Sequence, residues 1–173
     1  MSTSSECAPK EGSSAPLPLI ESGDSARADM LLELSELVRK PPMSDAIQAK
    51  LLLVAALREA PENKAVRMAL ATVLVEDLDE YERAEDVLRD GLEQDPDDAD
   101  YAFQLAQLLQ EHASTSDTEE AQQWYQVALA SDPTNAEACF NLGLLIENDA
   151  IADSSDADAL LLKARGLYED ALR

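Results

Sequence analysis

The chain has 173 residues, 46% of them hydrophobic, and carries 36 Asp and Glu against 13 Lys and Arg, a formal net charge of −23. That length suffices for one globular or solenoid unit without disulfides or a metal, and five Gly are too few for a turn-rich β fold. Residues 90–162 hold 17 Asp and Glu and no Lys or Arg; such a field repels nucleic-acid phosphates and anionic lipid and attracts basic proteins.

In chain order, residues 1–24 are rich in Ser, Pro and acidic groups and are expected to form a disordered tail, since they cannot bury enough surface to offset their ordering entropy. Their one apolar patch is Leu17-Pro18-Leu19-Ile20. The opening residues lack the basic start and apolar core of a secretory signal, and no apolar run approaches the roughly 20 residues of a membrane span. Cys7 and Cys139 have no metal or disulfide spacing, so both are expected as reduced thiols in the cytoplasm or nucleus.

Residues 25–173 are expected to form a single helical domain. Leu31, Leu34, Leu37 and Val38 recur at three- and four-residue steps and predict a first helix over 25–40, with these residues on its inner face. Pro41-Pro42 ends it. Ser44 or Asp45 is the candidate cap of a second helix running to Glu59. Pro61 separates this from helices over 62–76 and 79–94. Asp95-Pro96-Asp97-Asp98 opens a fifth helix that runs to 112. A sixth starts near Ser116 or Asp117, where Ser116 with Glu119, or Asp117 with Glu120, has capping-box spacing. A seventh follows Asp132-Pro133-Thr134 and runs to 148. An eighth is expected from Ser155 to the chain end.

A pattern recurs through these helices: Ala49-x3-Leu53-x2-Ala56-x4-Pro61, Ala84-x3-Leu88-x2-Gly91-x4-Pro96, Ala121-x3-Tyr125-x2-Ala128-x4-Pro133, and Ala164-x3-Tyr168-x2-Ala171 without its proline. Two small residues seven apart lie on one helix face and let a neighbour approach closely, while the large residue between them fills the adjoining gap. Each preceding helix carries the complement, Leu70-Ala71, Leu105-Ala106 and Leu142-Gly143, with the small residue ten positions after the proline. Self-similarity at about 35 residues predicts stacked helical hairpins.

The segments Pro133-Thr-Asn-Ala-Glu-Ala-Cys-Phe-Asn-Leu-Gly143 and Trp124-Tyr125-Gln-Val-Ala128-Leu-Ala-Ser-Asp-Pro133 resemble the tetratricopeptide repeat. The resemblance runs from Pro61 to Arg173 and covers only the second helix of residues 25–60. It implies an all-α fold, an α–α superhelix of about four helical hairpins whose concave face is built from the first helix of each pair. Arg67, Ala102 and Cys139 stand where the family usually has a large aromatic, and Gly91 where it usually has Ala.

Projecting that register places Ala65, Met68, Thr72 and Val75, then Asp100, Phe103, Gln107 and Gln110, then Glu137, Phe140, Leu144 and Glu147 on the concave face. They would form a groove for an extended or helical protein segment. The alternative for Phe103 and Phe140 is packing between hairpins. One family subtype grips a chaperone tail's carboxylate with Lys, Arg and Asn; Asn141 is the one residue here that matches it, and the cations are missing. The expected partner is a protein or peptide rich in Lys and Arg, with no nucleic acid and no membrane.

Catalytic and cofactor readings are weak. His112 is the single histidine, so no Ser/His/Asp or Cys/His set can form, and no Gly-rich phosphate loop occurs. Asp95-Pro-Asp-Asp-Ala-Asp100 lacks the Gly and terminal Glu of a calcium loop, and helix capping explains it. Ser114, Ser116 and Ser155 have the acidic spacing of a kinase site, which capping explains for the latter two. The leading expectation is a non-catalytic scaffold or adaptor with no cofactor; the alternative is an acidic escort chaperone for a basic client such as a histone or ribosomal protein. On the last helix, exposure of Leu160, Leu161, Leu167, Tyr168 and Leu172 would mean dimerisation or continuation of the chain there.

Overall fold

The computed structural model describes residues 22–41, 44–112, 117–152 and 157–172. Among the described residues there are eight helices and no strands: α1 Ser22–Arg39, α2 Ala46–Glu59, α3 Lys64–Glu76, α4 Tyr81–Gln94, α5 Ala99–His112, α6 Asp117–Ser131, α7 Ala136–Ala152 and α8 Ala157–Ala171. They pair as hairpins α1/α2, α3/α4, α5/α6 and α7/α8, and each second helix also packs on the first helix of the next pair. The result is a solenoid in which each hairpin touches its neighbours.

Side chains that take up orphan backbone N–H groups define the helix starts. Asp45 Oδ1 accepts from Gln48 N at 3.0 Å and Asn63 Oδ1 from Val66 N at 3.2 Å. Asp98 Oδ1 takes Asp100 N at 3.0 Å and Tyr101 N at 3.1 Å, and Asn135 Oδ1 takes Ala138 N at 2.9 Å. Asp45 is therefore the cap of α2, and Ser44 precedes it at φ 45°. Asp79 is not the cap of α4: it sits at φ 54°, accepts the Tyr81 hydroxyl at 2.6 Å, and leaves the capping position to Glu80, whose side chain makes no capping bond.

The repeated small-large-small residues are the seam. Ala49, Leu53, Ala56, Ala84, Leu88, Ala121, Tyr125 and Ala128 are all buried, as are Leu70, Ala71, Leu105, Ala106 and Leu142 from the opposing helices. Fully burying one such Leu contributes about 1.5–3 kcal/mol. Gly91 belongs to the same seam and has a steric reason to be Gly. A Cβ there would lie 2.8 Å from Cζ of Tyr101 on the next hairpin, a ring that stands where the other hairpins have Val66 or Ala138.

Three expectations need correction. The first helix starts at Ser22, so 22–24 belong to α1 and not to the tail. Its inner face is Ala28, Ser35 and Val38 with Leu31 and Leu32 packed against the core; Leu34 and Leu37 are 44% and 62% exposed. Apolar spacing marks a stripe, but among the described residues no hairpin precedes α1 to cover this one. The seventh helix does not stop at 148. It continues to Ala152, because Ala150 is buried and the Asp149 carboxylate accepts from Gln122 of α6. The tail through residue 21, Cys7, Ser114, Ser116, Ser155 and the side chain of Leu160 lie outside the described residues.

Candidate interaction groove

The first helices α3, α5 and α7 present one face whose positions repeat. None of the twelve projected residues is buried, nor is Asn141. Met68, Thr72, Val75, Phe103, Gln107, Gln110, Asn141, Leu144 and Glu147 are half-buried, and Ala65, Asp100, Glu137 and Phe140 are exposed. Polar links run along this face from hairpin to hairpin. Lys64 Nζ lies 2.6 Å from both Asp98 Oδ2 and Asp100 Oδ2, and Gln107 Nε2 donates to Glu137 Oε1 at 3.2 Å. Burial works against the Asp98 carboxylate, yet Lys64 and two backbone N–H groups hold it below its ordinary range.

The two phenylalanines divide between the readings considered for them. Phe103 is half-buried, its ring 6.0 Å from that of Tyr125 on the second helix of its own hairpin. Phe140 sits 5.6 Å from Tyr168 in the equivalent pairing, but is 51% exposed. Both therefore pack on a tyrosine with tilted rings, at 58° and 46°.

Under this face lies a polar floor that sequence reasoning missed. The fully buried Tyr125 donates its hydroxyl to Gln110 Oε1 at 2.8 Å, and the Asn141 amide hydrogen-bonds the Tyr125 hydroxyl oxygen. Burial pushes this phenol far above its ordinary value, and the Asn141 bond opposes that shift. Asn141 thus links α7 to the neighbouring hairpin. One hairpin on, Tyr168 donates to Glu147 Oε2 at 2.7 Å, and burial together with that carboxylate pushes it up to about 12. The signal was available in the sequence: Gln110 and Glu147 both stand fourteen residues after the repeat proline, and Tyr125 and Tyr168 share one place in the seam.

The groove also reaches α1, which the proline register could not place. Ser35 is 2% exposed, donates to Leu32 O at 2.7 Å, and is the small seam residue of α1. Counting from it, Glu36 and Arg39 take the positions of Thr72 and Val75. They line a cleft of about 480 Å³ with Ser35, Lys40, Ala69 and Thr72. The Arg39 guanidinium bonds Asp77 and Glu76.

At the position where the family usually has a large aromatic, Arg67 is 3% exposed. Its Nη2 donates to Pro61 O at 2.6 Å, while Nε finds no acceptor. Cys139, at the same place in α7, is buried, and burial raises its thiol. No group of three His, Cys, Asp or Glu side chains among the described residues is arranged to hold a metal ion. No helix among them is long and apolar enough to cross a membrane. The Asp95–Asp100 cluster is engaged in capping α5 and pairing with Lys64.

Residues 43–111 match the family model described as tetratricopeptide repeat. No curated protein matches the chain. Among solved structures, a crystal structure of MamA is 18% identical, with 84% of this chain and 76% of that one covered at a TM-score of 0.66. A second MamA structure is 22% identical, with 82% and 73% covered at 0.60. The first repeat domain of Spaghetti (RPAP3), bound to the HSP90 peptide SRMEEVD, is 19% identical, with 75% and 96% covered at 0.62. At these identities the likeness is one of fold.

Proposed function

Residues 43–111 belong to the tetratricopeptide repeat family, and on that premise we propose that this protein is a non-catalytic interaction scaffold, with no cofactor, that holds an extended or helical partner segment on its concave face. The observation that carries the reading is the unburied, repeating face of α3, α5 and α7, where Phe103, Phe140, Leu144 and Met68 supply apolar edges among Asp100, Glu137 and Glu147. A partner segment rich in Lys and Arg suits those carboxylates. The HSP90 peptide held by the RPAP3 domain is acidic at its end; the present groove, with no Lys or Arg between 90 and 162, favours the opposite charge. Cytoplasm or nucleus is the compartment in keeping with a buried free thiol at Cys139.

A second reading rests on the same acidic stretch: an escort chaperone that shields a basic client by long-range attraction. Calorimetric titration with a Lys/Arg-rich peptide and with a core histone, at low and high salt, separates the two. Groove binding weakens at least tenfold in Phe140→Ala, a truncation at a half-exposed ring, and changes modestly with salt. Escort binding ignores Phe140→Ala and falls steeply as ions screen the field. Binding indifferent to both perturbations, or no binding, would remove both readings.

A further inference from the structure

The two ends of the solenoid expose complementary halves of its own internal repeat interface. In α3, α5 and α7, the residues five before, one before and two after the small seam residue face the preceding hairpin. These are Val66, Leu70 and Val73, then Tyr101, Leu105 and Leu108, then Ala138, Leu142 and Leu145, each no more than 5% exposed. The contact between Gly91 and Tyr101 shows what this stripe meets: the second helix of the hairpin before. In α1 the small residue is Ser35, and the same three positions are Met30, Leu34 and Leu37, which are 68%, 44% and 62% exposed.

The other end shows the reverse. In register with Gly91, the second-helix positions three before and one after the small residue complete this receiving face: Leu53, Ala56 and Leu57, then Leu88, Gly91 and Leu92, then Tyr125, Ala128 and Leu129. In α8 they are Tyr168, Ala171 and Leu172; the first two are half-buried and Leu172 is 88% exposed. With Ala136, Glu137 and Phe140 of α7 they line an open, mostly apolar cleft of about 480 Å³.

We propose that copies of this chain stack head to tail: the Met30–Leu34–Leu37 stripe of one copy seats in the Phe140–Tyr168–Leu172 cleft of the next. The contact repeats the one already made three times inside each copy. It joins two different faces, so it does not close on itself after two copies.

Two observations favour a second copy as the occupant. The chain's own apolar patch, Leu17 to Ile20, cannot reach the far end of the stripe. From Ser22, Leu37 lies about 22 Å along the helix, whereas Leu17, the first residue of the apolar patch, reaches back only about 17 Å when fully extended. Charge favours the polarity as well. Ten of the 13 Lys and Arg lie before residue 90, and none between 90 and 162. Head-to-tail stacking sets the less acidic end of one copy against the more acidic end of the next, while pairing two like C-terminal ends would bring the acidic halves together. The overall charge of −23 per copy still opposes association, so screening strengthens it. The cleft shares Glu137 and Phe140 with the groove, whereas the variants that test stacking, at Leu34 and Leu172, lie outside the groove.

Sedimentation velocity of the full chain over a wide concentration range, at low and at roughly half-molar salt, tests the proposal. The expected result is a mass that rises with concentration past the dimer and rises further with salt. Leu34→Glu on one end and Leu172→Glu on the other, both exposed and so compatible with folding (checked by far-UV circular dichroism), should each weaken association at least tenfold. Mixed one to one, they should form a dimer and nothing larger, because each retains the face the other lacks. A monomer at every concentration and salt overturns the proposal. So does a wild-type dimer that grows no further, or a mixture of the two variants that stays monomeric.

Discussion

Replacing Gly91 by Ala should destabilise the protein although Ala is the better helix former. The added Cβ would meet Cζ, Cε1 and Cε2 of Tyr101 at 2.8, 2.9 and 2.9 Å, against about 3.5–4.0 Å for a relaxed carbon contact. Tyr101 is 4% exposed, and Lys64 Nζ stands 5.6 Å from its ring centroid, so the ring has nowhere to swing without opening the junction of α4 and α5. Overpacking of this kind costs about 1–3 kcal/mol, and the gain in helix propensity returns up to about 1 kcal/mol. The net loss is about 1 kcal/mol, or roughly 2–4 °C in Tm for a chain of this size. Gly166→Ala is the matched control: it is exposed on α8 with nothing within 4 Å of the new Cβ, so it should raise Tm slightly. Thermal unfolding followed at 222 nm reads both. Adding Tyr101→Leu to Gly91→Ala should recover part of the loss beyond additivity. A Gly91→Ala variant as stable as Gly166→Ala, or a double variant with no coupling, would refute the steric account.

Two further outcomes follow from side chains already described. Tyr125→Phe removes a fully buried hydroxyl and strands Gln110 and Asn141; it should cost about 1–2 kcal/mol in urea unfolding with an unchanged m-value, and a neutral result would mean water already serves those amides. Asp98→Asn retains a capping oxygen but loses the charge facing Lys64. Because the native carboxylate is held below its ordinary value, its contribution is present above the unfolded pKa of about 3.9 and is lost as pH falls through the native one. The variant should therefore be up to about 1 kcal/mol less stable at pH 7, with the gap closing below about pH 4. A gap that persists in acid would place the effect in the cap and not in the ion pair.

The hairpin stack was legible because its signal is repeated. Ala84 alone says little, but its recurrence as Ala49, Ala121 and Ala164 at one distance from a large residue leaves one architecture. The errors fall where repetition stops. Leu34 and Leu37 have the periodicity of a core stripe, and a stripe does not reveal whether a neighbour exists to bury it. Asn148 and Asp149 look like a loop; they stay helical because Gln122, on another hairpin, bonds Asp149. The groove positions could be projected from prolines, which is why Glu36 and Arg39 were overlooked in the one hairpin without a repeat proline. The Tyr125–Gln110–Asn141 floor brings side chains together from three helices, so it shows only when positions are compared between repeats and not along any one helix.

The uneven distribution of cations also changes how the stack is tied together. Between the first and second hairpins, Arg39 bonds Glu76 and Asp77, and Lys50 bonds Glu80 at 2.7 Å. Between the second and third, Lys64 holds Asp98 and Asp100, and Arg89 holds Glu120 at 2.8 Å. Between the third and fourth, amide side chains make the links: Gln107 on Glu137, Gln122 on Asp149 and Asn141 on the Tyr125 hydroxyl. The array is thus stapled by ion pairs over its first half and by amide hydrogen bonds at its last joint. Opening should begin with the terminal hairpin peeling from the rest, so that α7 and α8 exchange their amide hydrogens ahead of α3 and α4, and the spacing of Phe103 and Phe140 would be the first on that face to change.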